Sequence, residues 1–176
     1  LNAEGTDRVI EMVECDNNMI SGLNITGGNA YGDYPDRLAG GMYLLYSNPT
    51  LTHVTISNNT ANDGGGMYLF FSNPTLTNTI IWDNSPGSIY FCEIGDPNSI
   101  YVNYSDIQGG QVGIVTNNNG EIFWLEGNID TDPLFSDSNN GDYTLQPNSP
   151  CIDAGTADID GDGVDDIAGY YGAAPD

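Results

Sequence analysis

Hydrophobic and polar residues alternate with a period of two along much of the first hundred positions, and part of that pattern is written twice. In Met42-Tyr43-Leu44-Leu45-Tyr46, one face takes Met42, Leu44 and Tyr46, and the other takes Tyr43 and Leu45. That alternation predicts a strand. Residues 40–52 return almost unchanged as residues 65–77, 25 positions later, and the match continues with Ile56 over Ile81 and Asn59 over Asn84. A fixed period of this length predicts stacked units, each too small to bury its own apolar face.

Each unit divides into three short strands. After 42–46 comes a Ser-Asn-Pro turn, then Thr50-Leu51-Thr52, then Val54-Thr55-Ile56, which ends in the turn Ser57-Asn58-Asn59. Three strands and three turns in 25 residues describe one coil of an all-β fold, the right-handed parallel β-helix. A leucine-rich horseshoe is the rival, because Leu51, Val54, Ile56 and Asn59 fit its spacing. The rest of the unit, Gly-Gly-Gly-Met-Tyr-Leu-Phe-Phe, favours strand and turn over the helix a horseshoe needs. An earlier coil aligns 20–28 with 51–59, with 31–37 as an insertion and 9–15 as a further strand. A later one sets 99–103 at 25 residues beyond 74–78. Four or five coils are expected over 1–110. Residues 111–176, where the period fails, are expected to form an irregular extension that caps the open end. Stacking one strand spacing apart predicts ladders: Leu44 with Leu69, Leu51 with Leu76, and Asn59 with Asn84.

Charge narrows the function. The chain has 25 acidic residues against two basic ones, Arg8 and Arg37. Such a surface repels phosphate backbones and anionic lipid, so nucleic acid is excluded as an electrostatic partner, while divalent cations are attracted. No apolar run reaches the roughly 18 residues of a membrane span. The chain opens without an initiator Met or a signal-peptide pattern, which points to a mature or trimmed chain. Cys15, Cys92 and Cys151 lack metal spacing and are expected as buried free thiols.

The sharpest chemical motif is Asp158-Ile159-Asp160-Gly161-Asp162-Gly163-Val164-Asp165-Asp166. Asp158, Asp160 and Asp162 occupy positions 1, 3 and 5 of a calcium loop, Val164 supplies a carbonyl at 7, and Asp166 a carboxylate at 9. Gly169 stands where a bidentate Glu would close the shell, so Asp176 or another segment has to complete it, and weak affinity is expected. A second candidate is aromatic. If Met42 and Leu44 point inward, Tyr43, Tyr68 and Phe70 point outward near Tyr31 and Tyr34, a strip suited to stacking on glycan rings or to a protein interface. Reversed parity would make the same residues core. Catalysis finds little: His53 is the sole histidine, with no nucleophile motif beside it, and Asp33, Asp36, Asp63 and Asp83 read as solvated turn residues.

The unit Gly-Gly-Gly-Met-Tyr…Ser-Asn-Pro-Thr-Leu-Thr-Asn, residues 64–78, resembles secreted bacterial β-helix proteins of the pectin-lyase-like superfamily. The tail Asp-Pro-Leu-Phe (132–135), Gly-Asp-Tyr-Thr-Leu (141–145) and Ser-Pro-Cys-Ile-Asp-Ala-Gly (149–155) is similar to the C-terminal segment of choice-of-anchor surface proteins in that group. The resemblance implies a β-helix and a secreted or cell-surface location, and it implies no activity. The expected function is a non-enzymatic structural or adhesive module, self-assembling head to tail into a fibre. The alternative is a carbohydrate-binding or calcium-dependent polysaccharide-active protein.

Overall fold

The computed structural model describes residues 1–170 and 172–175. The protein is all-β, and its repeats pair side by side in parallel. A four-stranded sheet takes one strand from each repeat, in the order Ile10–Val13, Met42–Leu45, Met67–Phe70 and Ile89–Phe91. A seven-stranded sheet takes the following segments: Asp16–Ile25, Asn48–Ser57, Thr75–Thr77 with Ile80–Trp82, Asn98–Asn103 with Asp106–Ile107, and Gly120–Trp124. A short pair, Asn29–Ala30 with Thr60–Ala61, is also parallel. The repeats hold no helix, because the two 3₁₀ turns lie at Gln111–Gly113 and Ser138–Asn140. That removes the horseshoe alternative. Among the described residues no helix is long and apolar enough to cross a membrane.

Register follows the repeat. Leu44 lies beside Leu69 and Leu51 beside Leu76, all four fully buried in one continuous core with Met42, Met67, Ile56 and Ile81. The first repeat aligns with the second at 31 residues, Ile20 beside Leu51 and Ile25 beside Ile56. The strand at 10–13 pairs 32 residues on, which is the 25-residue period plus the seven-residue insertion 31–37.

Corners are made by columns of left-handed residues. Gly22, His53, Asn78 and Tyr104 lie side by side, each with positive φ. Glu14, Tyr46 and Phe71 form a second such column. A side chain is tolerated there because the neighbouring repeats fix the bend. Packing at the start of the small sheet is tighter still: a Cβ on Gly41 would run into the carbonyl oxygen of Gly66, and one on Gly66 into that of Ser88. Glycine is required where two backbones approach this closely.

Each corner also buries backbone groups outside any strand ladder, and side chains from the next repeat satisfy them. Asn84 Oδ1 accepts from Asn59 N at 3.1 Å, and Asn84 Nδ2 donates to Ile56 O at 2.8 Å. Asn59 does the same one repeat earlier, accepting from Gly28 N and donating to Ile25 O. Two more ladders run at other corners. In one, Cys15 N donates to Ser47 Oγ, Ser47 N to Ser72 Oγ, and Ser72 N to Asn98 Oδ1. In the other, Thr79 N donates to Ser105 Oγ and Ser105 N to Asn128 Oδ1.

Three expectations need correction. Val102 lies beside Leu76 and Tyr101 beside Thr75, so the strand at 99–103 sits 26 residues on, one position from the expected alignment. The cause is upstream: Tyr90 pairs with Tyr68 only 22 residues on, and the loop 93–96 then adds four residues before Asn98 meets Ser72. Parallel pairing also continues past 110, since Gly120–Trp124 pairs with Asn98–Asn103 and Ile129 bridges Asp106. Finally, the tail is not an end cap. Its antiparallel pair, Phe135–Asp137 with Asp142–Leu145, leads a segment that lies along the flank of the repeats. Tyr143 Oη bonds Thr26 and Asn58, and Thr156 bonds Asn78, so the tail touches successive repeats instead of covering the last one.

Truncating Leu69 to Ala should destabilise the chain by about 2–5 kcal/mol, the range for a fully buried leucine left as a cavity. Denaturant unfolding measures this, and a change below about 0.5 kcal/mol would contradict the stacked core.

Candidate functional site

The acidic loop near the C-terminus comes together in part. Oxygens of Asp158, Asp160 and Asp166 lie within 4.8 Å of one another. Asp158 sets the turn, its Oδ1 accepting from Gly161 N at 2.7 Å and its Oδ2 from Gly163 N at 2.9 Å. Asp166 Oδ2 accepts from Ile159 N at 2.9 Å, which folds the end of the loop back on its start. Asp162, expected as a ligand, stands outside the cluster, with its Oδ1 accepting from Val164 N at 2.8 Å. Asp176, the expected closing ligand, lies outside the described residues. The set is hard oxygen, the donor type calcium prefers, but three carboxylates fall short of the six to eight ligands that ion takes.

The seam between tail and repeats carries more burial. Asn78 anchors it with all its amide groups: Oδ1 accepts from Thr156 N at 2.8 Å, and Nδ2 donates to Thr156 O at 2.7 Å and to His53 Nε2 at 3.1 Å. Accepting that bond requires an unprotonated Nε2, and burial of His53 lowers its pKa in the same direction. Deeper in, Asp106 is 3% exposed and accepts the Cys151 thiol at Oδ2, 3.2 Å, and Thr131 N at Oδ1, 3.2 Å. Burial pushes the Asp106 carboxyl up to about 6, against the lowering effect of those two bonds. Burial and the adjacent Asp106 push Cys151 up to about 12, so this thiol keeps its proton and donates a hydrogen bond to Asp106. All three cysteines are free. A cavity of about 90 Å³ separates the seam's walls, with His53, Tyr104, Asp106 and Cys151 on its surface.

The chain matches no family model, no curated protein and no solved structure.

The aromatic strip is covered. Tyr43 and Tyr68 do point away from the core that holds Met42 and Leu44, but they are only 4% and 6% exposed. They pack with Leu38, Ala39 and Cys92 in a second apolar layer, against which Leu45, Phe70 and Tyr90 lean. Leu38 and Ala39, just after the insertion, provide the cover that strand alternation alone does not reveal. Tyr31 and Tyr34 remain exposed on the insertion. Of the carboxylates weighed for acid–base work, Asp33, Asp36 and Asp83 are exposed, and Asp63 faces Arg37 at 3.9 Å. Sequence reasoning missed Asp106 and Cys151 as partners because 45 residues separate them and neither belongs to a motif. Asn78 gave a faint signal, replacing His53 in the second copy of the repeat.

Asp106 gives the seam a pH dependence of definite sign. Its folded pKa exceeds the usual carboxyl value, so its contribution to stability is complete below about pH 4 and is lost as pH rises through about 6. Wild type should therefore lose stability relative to Asp106→Asn between pH 4 and pH 7. Thermal melts of both proteins across that range test this, and a pH-independent difference would exclude it.

Proposed function

We propose that the chain is a right-handed parallel β-helix that serves as a non-enzymatic structural or adhesive module at a cell surface or in secretion, assembling head to tail. The observation that carries this reading is the pair of open sheet edges. Asp16–Ile25 is ten residues long and pairs with Asn48–Ser57 on one side; on the other side Leu1–Ala3 meets only its end, at Asn24 and Thr26, and the stretch around Met19, 68% exposed, stays open. Val13, at the edge of the smaller sheet, is also exposed. At the opposite end, Gly120–Trp124 has no further strand beside it among the described residues, with Phe123 and Trp124 half-buried. Edges with unpaired backbone groups recruit strands from other chains, and two unlike edges meeting head to tail need not close into a ring. The likeness of 64–78 and of the tail to pectin-lyase-like and choice-of-anchor surface proteins supports the same reading.

Net charge opposes assembly, because −23 on each copy repels the next. Calcium at Asp158, Asp160 and Asp166 lowers that repulsion and stiffens the tail against the repeats. Light scattering tests the assembly: apparent mass should rise with protein concentration, more steeply with calcium, and Met19→Lys should hold the particle monomeric. A wild-type monomer at every concentration in both buffers would overturn it. Calorimetry tests the ion separately. Calcium should raise the melting temperature by a few degrees, consistent with a weak site, and Asp160→Ala should abolish the rise while leaving the chelated melt unchanged. Identical curves with calcium and with chelator would exclude the site.

A further inference from the structure

The tail is joined to the repeats differently from the way the repeats join each other. Among the described residues, no backbone–backbone hydrogen bond crosses between the repeats and the chain from Thr131 onward. Side chains make the attachment: Tyr143 Oη pairs with Thr26 Oγ1 at 2.6 Å, Asn78 holds Thr156, and the Cys151 thiol donates to Asp106. Within itself the tail is better bonded. Phe135–Asp137 pairs with Asp142–Leu145, Ser149 Oγ donates to Pro133 O at 2.6 Å, and Gly155 N donates to Pro175 O at 2.8 Å. A segment bonded more to itself than to its support opens as a unit.

Charge works against the attachment. Residues 131–176 carry ten of the 25 acidic residues and no basic one, and the repeats are themselves strongly acidic. Both arginines pair within the repeats, Arg8 with Asp7 and Glu11, and Arg37 with Asp63. Like charge on the two sides favours separation.

Asp106 stands at the centre of the contact. Ile56, Ile81 and Ile107 enter the core, so strand alternation turns Thr55, Ile80 and Asp106, which lie side by side, toward the tail. The Asp106 carboxyl has two donors, the Cys151 thiol and Thr131 N, both at 3.2 Å. The titratable groups around it are Asp130 and Asp132, which oppose its ionisation, Cys151, and His53 and Tyr104 across the cavity. A buried carboxylate facing other carboxylates is costly, and that cost ends once the tail lifts and water reaches it. His53 acts in the opposite sense, since it accepts from Asn78 only while Nε2 is unprotonated.

We propose that the tail is a strap that lifts from the flank as one piece while the repeats stay folded, and that loss of the Asp106 proton opens it. Lifting uncovers Thr55, Ile80, Asp106 and Ile129, which line the cavity beneath the strap. The sign follows from the raised carboxyl: closure is favoured in acid and weakens as pH rises through about 6.

Native-state hydrogen exchange of the full chain, in chelator, reads strap and repeats separately. The amides of Thr131 and Thr156 are bonded across the seam, whereas those of Leu44 and Leu69 lie in the repeat ladder. After correction for chemical exchange, the seam amides should open more often than the ladder amides. Their opening in wild type relative to Asp106→Asn should rise on the order of a hundredfold between about pH 4 and pH 8, a comparison in which His53 cancels. Leu69→Ala, which weakens the repeats, should speed exchange at Leu44 and leave Thr156 unchanged. Exchange of Thr156 in step with Leu44, acceleration of both by Leu69→Ala, or a wild-type to Asp106→Asn ratio that is the same at every pH would each overturn the inference.

Discussion

The structure depends on satisfying the backbone where it turns. Strand ladders take care of N–H and C=O groups along the sheets, but every corner between sheets buries groups that point along no ladder. An unpaired buried amide costs on the order of 1–3 kcal/mol, so several open corners would exceed the stability of an ordinary domain. The chain meets this with short polar side chains at the corners. Ser47, Ser72, Asn59, Asn84, Asn98 and Ser105 are all buried, and each serves the backbone of the repeat before it. The leucine and isoleucine core supplies the driving force for stacking, and the polar corners fix the register at which stacking happens. A slip of one residue would leave both the core and the corners unmatched.

Legibility in the sequence followed the same division. Residues 40–52 and 65–77 are nearly identical and Asn59 recurs as Asn84, so the stacked leucines and the Asn59–Asn84 contact can be read by laying one over the other. The Ser47–Ser72 ladder ends in Asn98, with a change of residue type and a spacing of 26, and simple overlay loses it there. Likewise the strand Ile89–Phe91 falls three residues early, which hides Tyr90 as the partner of Tyr68. Parity correctly separated Met42 and Leu44 from Tyr43. It gave no indication that Leu38 and Ala39 lie over the other face, because that depends on where a non-repeating loop returns.

The candidate sites were legible in proportion to how local they are. The acidic loop closes on itself within nine residues, and three of its four expected carboxylates meet. The seam joins residues 45 to 117 apart, and nothing in the sequence links Asp106 to Cys151 or Thr26 to Tyr143. Laid along the flank, the tail braces several repeats at once, and its hold rests on a few buried polar contacts, one of them through a carboxyl that burial makes a weaker acid.

The corner ladders have a direction. In each of the three, the N–H belongs to the earlier repeat and the accepting side chain to the later one. At these buried corners a repeat is therefore finished by its successor. As the chain leaves the ribosome, N-terminal end first, each new repeat closes the one already made, and the growing edge is always the incomplete one. Loss of a repeat from the front of the stack would leave spare hydroxyls and amides that water can serve. Loss from the back would strip the partner from buried N–H groups, so the two ends of the stack differ in what their removal does.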